Sequence, residues 1–303
     1  MQRVPPESRV SRVATVDGTQ TSWERAATTS LTSLLEVVQG AQRGSCVWRK
    51  GEVDQAAPEA LEAAAWTVAE TGVRARCAGA VASFSAWRRR ATGGAVLSPN
   101  ERAALVAFVS AGFGVPEAQR SADHVEGHVA ELVWFLLTQE EHRDDRDLRH
   151  IERPSFYVTS PGGDGLAVYD EPGALTFRLW EIKKHTGSSH LSSTTARAYK
   201  QLADHAPRYL AQYTSTGAGH QGDLGKLYAE LVQLWLDAAP QAGAGVAVAT
   251  SKSHSPRRCF STMGQHLPHF DDPGRLEGLV TAIGDFSDFT RQVRDVVWTG
   301  LST

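Results

Sequence analysis

Residues 161–184 read PGGDGLAVYDEPGALTFRLWEIKK, and the reading of this stretch decides the fold. Asp164 stands in a Gly-Gly-Asp-Gly turn, and the apolar run from Leu166 to Tyr169 reads as a strand leaving a tight turn. Asp170, Glu171, Pro172 and Gly173 reverse the chain, and a second strand is expected from Ala174 to about Lys184. Its period of two places Leu175, Phe177, Leu179, Glu181 and Lys183 on one face. Three apolar residues thus lead into an acid and a base on the buried side, where ionised groups are costly unless they are paired or bind metal.

Asp164 and Glu181, converging from paired strands, offer the carboxylate oxygens that Mg²⁺ or Mn²⁺ prefers, with Lys183 beside them. Phosphodiester hydrolysis needs an activated water, a line of attack and neutralisation of the charge that develops on phosphate. Two carboxylates, a metal and one ammonium meet those needs. The competing reading is a salt-bridged strand end with an ordinary Asp turn. Gly-Asp-Gly, a hairpin and Glu-Ile-Lys at the end of an apolar face, taken together, favour a site.

On these residues the chain resembles the PD-(D/E)xK phosphodiesterase superfamily of restriction, repair and phage-defence nucleases. Gly163-Asp164 stands where the motif has Pro-Asp, and Glu181-Ile182-Lys183 matches its Glu-x-Lys. The order helix with an acid, strand, Asp, strand with Glu-x-Lys, helix extends the resemblance over about residues 120–215. It implies a restriction-endonuclease-like fold and Mg²⁺-dependent cleavage of DNA. Asp164 and Glu181, with the Ile182 carbonyl, would then bind metal, and Lys183 would orient or activate water. In some relatives a glutamine and a tyrosine on the following helix support the site; Gln201 matches the first, and His205 stands where the tyrosine is expected. The helical bulk upstream and the Gly-Asp-Gly form resemble, more narrowly, the nuclease subunit of Hachiman-type phage defence. That likeness implies a helicase partner.

The chain has 303 residues, 41% of them apolar, enough for one large domain or two small ones with a sizeable core. No apolar run is long enough to span a bilayer, and MQRVPPESRVSRV lacks a signal-peptide core, so no membrane association and a cytoplasmic location are expected. Cys46, Cys77 and Cys259 form no Cys-x-x-Cys pair, which argues against a disulfide framework or zinc ribbon. The net charge of −3 is unusual for a protein that grips DNA alone. Arg197, Lys200 and Gln201, and Lys252 with Arg257 and Arg258, are the candidate nucleic-acid contacts, and a partner subunit is expected to strengthen them.

Residues 1–20 read as a flexible tail, 21–118 as a helical scaffold or partner surface, and 119–303 as the nuclease-like α/β domain, a mixed sheet flanked by helices. Helices are expected at Ser22–Gln39, from Pro58, at Arg76–Ala91 and from Pro99 with Ser98 and Glu101 as its capping box, with a short strand within 44–55. The helix Ala122–Gln139 carries the candidates for the remaining catalytic acid. Val125, Val129, Leu132, Val133 and Leu136 form its apolar face, Glu126 lies at the edge of that face, and Glu131 points largely away, so Glu126 is preferred and Glu131 kept second. His124-x-Glu126-x-His128 lacks the zincin spacing and reads as a surface pair.

HRDDRDLRHIERP reads as a charged linker before a strand at Ser155–Thr159. A helix over Thr194–Tyr213, a helix over Leu224–Ala238 and a strand at Gly245–Thr250 follow, with Cys259–Met263 as its partner and Leu276–Trp298 as a closing helix. Gly225-Lys226 fails as a P-loop because Leu227 replaces the required hydroxyl. A non-catalytic subunit with the same fold, anchoring a helicase or sensing DNA, is the reading from another class.

Overall fold

The computed structural model describes residues 21–41, 46–53, 57–155, 163–187, 190–251 and 253–302. Among the described residues seven strands form one sheet: β1 (Glu36–Ala41), β2 (Cys46–Glu52), β3 (Asp147–Ile151), β4 (Gly165–Glu171), β5 (Ala174–His185), β6 (Ala242–Thr250) and β7 (Leu276–Ala282). Their order is β1-β2-β7-β6-β5-β4-β3. The four central strands are parallel, β1 is antiparallel to β2, and β3, β4 and β5 form an antiparallel meander. The expected hairpin is present: Glu171 pairs with Ala174, and Gly173 takes φ +96°, a left-handed conformation that a residue with a Cβ rarely adopts.

The longer helices among the described residues are α1 (Pro58–Cys77), α2 (Val81–Ala91), α3 (Pro99–Phe113), α4 (Ala122–Gln139), α5 (Leu191–Thr216), α6 (Gly222–Leu236) and α7 (Phe286–Thr299). Alternation along β4 and β5 sorts the two cores. Tyr169, Trp180 and Ile182 pack with α1–α4 and α7, whereas Leu166, Val168, Phe177 and Leu179 pack with α5 and α6. Among the described residues no helix is long and apolar enough to cross a membrane.

Several expectations change. Ser22–Gln39 is not one helix: it breaks into Ser22–Thr28 and Leu31–Leu34, and then enters β1. Ser30 restarts the chain by accepting the Ser33 amide at 3.2 Å, an N-cap in mid-run. The region 21–118 is therefore not purely helical, because β1 and β2 join the common sheet through β7, and residues on both sides of position 118 share it. The capping box of α3 forms as expected.

The charged linker contains β3, an edge strand, while the expected strand at Ser155–Thr159 falls outside the described residues apart from Ser155, which is in no strand. Leu276–Trp298 divides into the strand β7 and the helix α7. Every residue of β7 is buried between two parallel neighbours, and a short apolar run of that kind has no period to tell strand from helix. Cys259–Met263 does not pair with β6; helical turns at Pro256–Cys259 and Met263–His266 take its place. The tail, 1–20, lies outside the described residues.

A buried ion network joins β5 and β7 to the segment ahead of β3. Glu277 accepts from Arg146 Nη2 at 2.9 Å and lies 3.3 Å from Arg178 Nε, and the Arg146 guanidinium stacks 3.6 Å over the Tyr169 ring. Paired in this way, the charges pin the polar start of β3 onto the sheet.

Candidate active site

β4 begins at Gly165, opposite Trp180, but β5 runs on to His185. Beyond Trp180, β5 keeps its parallel partner β6 and has no β4 residue opposite it. Asp164 occupies this opening, its Oδ2 accepting the Ile182 amide at 2.7 Å. The N–H and C=O of one residue in a strand point to the same side, so the Ile182 carbonyl faces the same opening. Glu181 and Lys183 project to the α5 side, as the period of two requires. Lys183 Nζ lies 3.7 Å from Asp164 Oδ2 and donates to Glu181 Oε1. Glu181 is fully buried, and its other oxygen, Oε2, has no hydrogen-bond donor.

Glu131, on α4, lies within electrostatic reach of the same group. Trp134 lies flat on the start of β4, so closely that a Cβ on Gly165 would stand 2.2 Å from its indole Cη2. One turn back along α4, the Glu131 side chain is 14% exposed and interacts electrostatically with Asp164, Lys183 and Glu181. Arg76 of α1 and His128 brace it. Arg76 Nη2 donates to His128 Nε2 at 3.2 Å, which leaves the ring proton on Nδ1, 3.8 Å from Glu131 Oε2. Burial, and then the Arg76 charge, hold the His128 imidazole well below its ordinary range, so it is neutral.

Burial is the first cause that raises all three carboxyls. Burial raises Glu181 to about 8, with Asp164 adding to the shift and Lys183 opposing it. Burial also raises Asp164, against Lys183 and the Ile182 amide, and raises Glu131 well above the usual carboxylate range, with Asp164 adding to it and Arg76 opposing. Burial works against the Lys183 charge, but Asp164 and Glu181 outweigh it and hold the ammonium above its ordinary range. Asp164 and Glu181 beside Lys183, with Glu131 in electrostatic reach and one buried Glu181 oxygen lacking a donor, offer the hard oxygen donors that a divalent cation such as Mg²⁺ or Mn²⁺ prefers.

The structure does not bring Glu126, the preferred acid, to this group. Its Oε2 pairs with Lys184, on the opposite face of β5 from Lys183, and its Oε1 accepts from Ser287 Oγ at 2.6 Å. The preference assumed that the acid follows the apolar face of the helix. The group instead lies off the start of β4, and Glu131 is the helix acid that interacts electrostatically with it. His124 and His128 are not a surface pair either: His128 is fully buried and His124 Nε2 sits 2.9 Å from the Ala111 carbonyl.

On α5, Gln201 Nε2 donates to the Tyr209 hydroxyl at 3.0 Å, and Tyr209 feels Glu181, Asp164 and Lys183. Tyr209 thus partners Gln201 from eight residues on, whereas His205 occupies the position four on where a tyrosine is expected. Tyr213, also missed, donates to the Gly163 carbonyl at 2.7 Å and ties α5 to the turn before Asp164. Arg76 had no signal in the sequence, since its partner Glu131 lies on another helix.

A groove of about 370 Å³ alongside is lined by Arg197, Lys200, Gln201, His205, Arg208 and Tyr209, and Lys200 is paired there with Asp204 at 2.5 Å. A second cavity of about 510 Å³, at the ends of β5 and β6, is lined by His185, His190, His254 and Arg258 among others. Arg257 is exposed on the adjacent turn, and Lys252 lies outside the described residues. No family model matches the chain, and no curated protein matches its sequence.

Proposed function

We propose that this chain is a Mg²⁺- or Mn²⁺-dependent nuclease that hydrolyses phosphodiester bonds in DNA. One observation carries the reading: Asp164 and Glu181 meet at Lys183, with Glu131 in electrostatic reach of them, and Glu181 keeps a buried oxygen without a donor. The order α4, the meander β3-β4-β5, α5 and then the parallel strand β6 supports a restriction-endonuclease-like fold and the resemblance to PD-(D/E)xK nucleases.

Asp164 and Glu181 would hold the ion, with the Ile182 carbonyl turned toward it and Glu131 completing the carboxylate set. When bound, the ion supplies Lewis-acid stabilisation of phosphate charge and an activated water. Lys183, kept protonated by its two acids, acts as a fixed donor that orients water and neutralises a phosphate oxygen, and does not act as a base. Arg197, Lys200 and Arg208 line one groove and Arg258 the other, and these cations would meet backbone phosphates.

A net charge of −3 gives little electrostatic grip on DNA, which supports work within a complex, with a helicase in cytoplasmic anti-phage defence as the setting suggested by the resemblance. The same charge favours the second reading, a non-catalytic anchoring or sensing subunit. The test is cleavage of linear, circular and single-stranded DNA by the purified chain, and by the chain with co-purified partners, in Mg²⁺, Mn²⁺ or EDTA. Cleavage abolished by EDTA and by Lys183→Ala or Glu181→Ala establishes the nuclease. Cleavage absent in every arm, with cellular function intact in Glu181→Ala, selects the anchoring subunit.

A further inference from the structure

We infer that His150, Glu152 and His220 form a second metal site, built for a transition-metal ion such as Zn²⁺ and separate from the carboxylate centre. His150 ends the edge strand β3 with Ile151, Glu152 follows at the same-side spacing of two, and His220 comes from the turn ahead of α6. One ligand atom from each of the three lies within 4.8 Å of the others. His150 Nε2 is 3.5 Å from Glu152 Oε1, yet this nitrogen is buried and has no hydrogen-bond partner. The His150 and His220 rings are 4.7 Å apart between centroids.

The surroundings match those of a ligand set. Tyr228 donates its hydroxyl to Glu152 Oε1 at 2.6 Å and packs 4.6 Å from the His220 ring, which fixes the carboxylate as an outer partner does in metal sites. The backbone of Glu152 is itself fixed, its amide donating to the Leu166 carbonyl at 2.8 Å. Two imidazoles and one carboxylate are intermediate-to-hard donors that suit Zn²⁺, in contrast to the all-oxygen carboxylate centre. Four-coordinate Zn²⁺ with bonds of about 2.0–2.1 Å needs its ligand atoms roughly 3.3 Å apart, so the half-buried side chains close inward by about 1 Å on binding. Three protein ligands leave the fourth position to water. An ion held there clamps the edge strand to the α5–α6 turn, two residues along the ladder from Asp164.

The test is titration of metal-stripped full-length protein with Zn²⁺, read by bound-metal stoichiometry after desalting, by the d–d absorption of a Co²⁺ substitute and by the rise in Tm. One equivalent bound with a tetrahedral Co²⁺ spectrum is expected in wild type and is expected to persist in Glu181→Ala, where any ion held by the carboxylate centre is lost, which separates the two sites. In His220→Ala and Glu152→Gln, affinity is expected to fall by about 100-fold or more, with the Tm rise and the tetrahedral Co²⁺ spectrum lost. Tyr228→Phe is expected to weaken binding about ten-fold while leaving the spectrum unchanged. Circular dichroism of each variant confirms the fold without metal. The assignment is overturned if wild type binds no Zn²⁺ at micromolar concentration, or if folded His220→Ala and Glu152→Gln bind it as wild type does.

Discussion

Asp164 Oδ2 accepts the Ile182 amide at 2.7 Å, so the acid expected to hold metal also caps the strand that carries Glu181 and Lys183. Substitution separates these roles. Asp164→Asn keeps an acceptor oxygen and removes the charge; its unfolding midpoint is expected to stay close to wild type while cleavage falls by about two orders of magnitude or more. Asp164→Ala also strands the amide, a loss of about 1–3 kcal/mol in urea unfolding. If Asp164→Ala were as stable as wild type, the cap would contribute nothing.

Gly165 sets how closely α4 approaches the site. A methyl group there would meet Trp134 at 2.2 Å, and Glu131 rides on the same helix one turn away. Gly165→Ala is expected to destabilise by about 1–3 kcal/mol and to lower activity by moving Glu131 off Asp164. Trp134→Phe makes room, so the double variant is expected to recover part of both losses. Losses that simply add in the double-mutant cycle would show that the two positions do not press on each other.

The hairpin was legible because its signals are local. Gly173 marks the turn and the alternation from Leu175 to Lys183 fixes the faces, so the bounds of β4 and β5 and the grouping of Asp164, Glu181 and Lys183 follow from residues within two dozen positions of one another. The opposite case is β7, the strand between β2 and β6: buried on both sides, it has no alternation to read. β3 was hidden by its charges, since Arg146 reads as linker until Glu277, far along the chain, is placed against it. Glu131 was ranked second for the same reason. The helix wheel gives its direction relative to the apolar stripe, but not that β4 begins only at Gly165, which puts Asp164 beyond the β4–β5 ladder and within electrostatic reach of Glu131.

Glu131 and Glu126 provide a paired test on one helix. Glu131→Gln is expected to lower cleavage by about 100-fold or more and to stabilise the metal-free protein, because a buried acid crowded by Asp164 becomes neutral. Glu126→Gln leaves Lys184 with Asp123 and a neutral amide and is expected to cost about 1 kcal/mol, with cleavage within a few-fold of wild type. Cleavage rates and urea unfolding of the two variants check both expectations. The reverse pattern would return the catalytic role to Glu126.

Two buried acids give stability opposite slopes with pH. Burial works against the Glu277 charge, but Arg146 and Arg178 outweigh it and hold the carboxyl at about 2, below its ordinary 4.5. The unfolded chain therefore binds more protons in that window. The stabilisation from Glu277 is complete above it and is lost as pH falls toward 2. Glu181 runs the other way: raised to about 8 from 4.5 by burial and then by Asp164, it binds more protons folded than unfolded, so stability falls as pH rises through that window. The slope for one such group is at most about 1.4 kcal/mol per pH unit. A divalent ion at the carboxylates displaces those protons and removes the penalty, so its affinity must rise with pH over the same range. Urea unfolding in EDTA is expected to show stability declining from about pH 5 to 8, Mn²⁺ to flatten or reverse the decline, and Glu181→Gln to flatten it without metal. Curves that superimpose with and without Mn²⁺ would remove the metal from the proposed site and the nuclease with it.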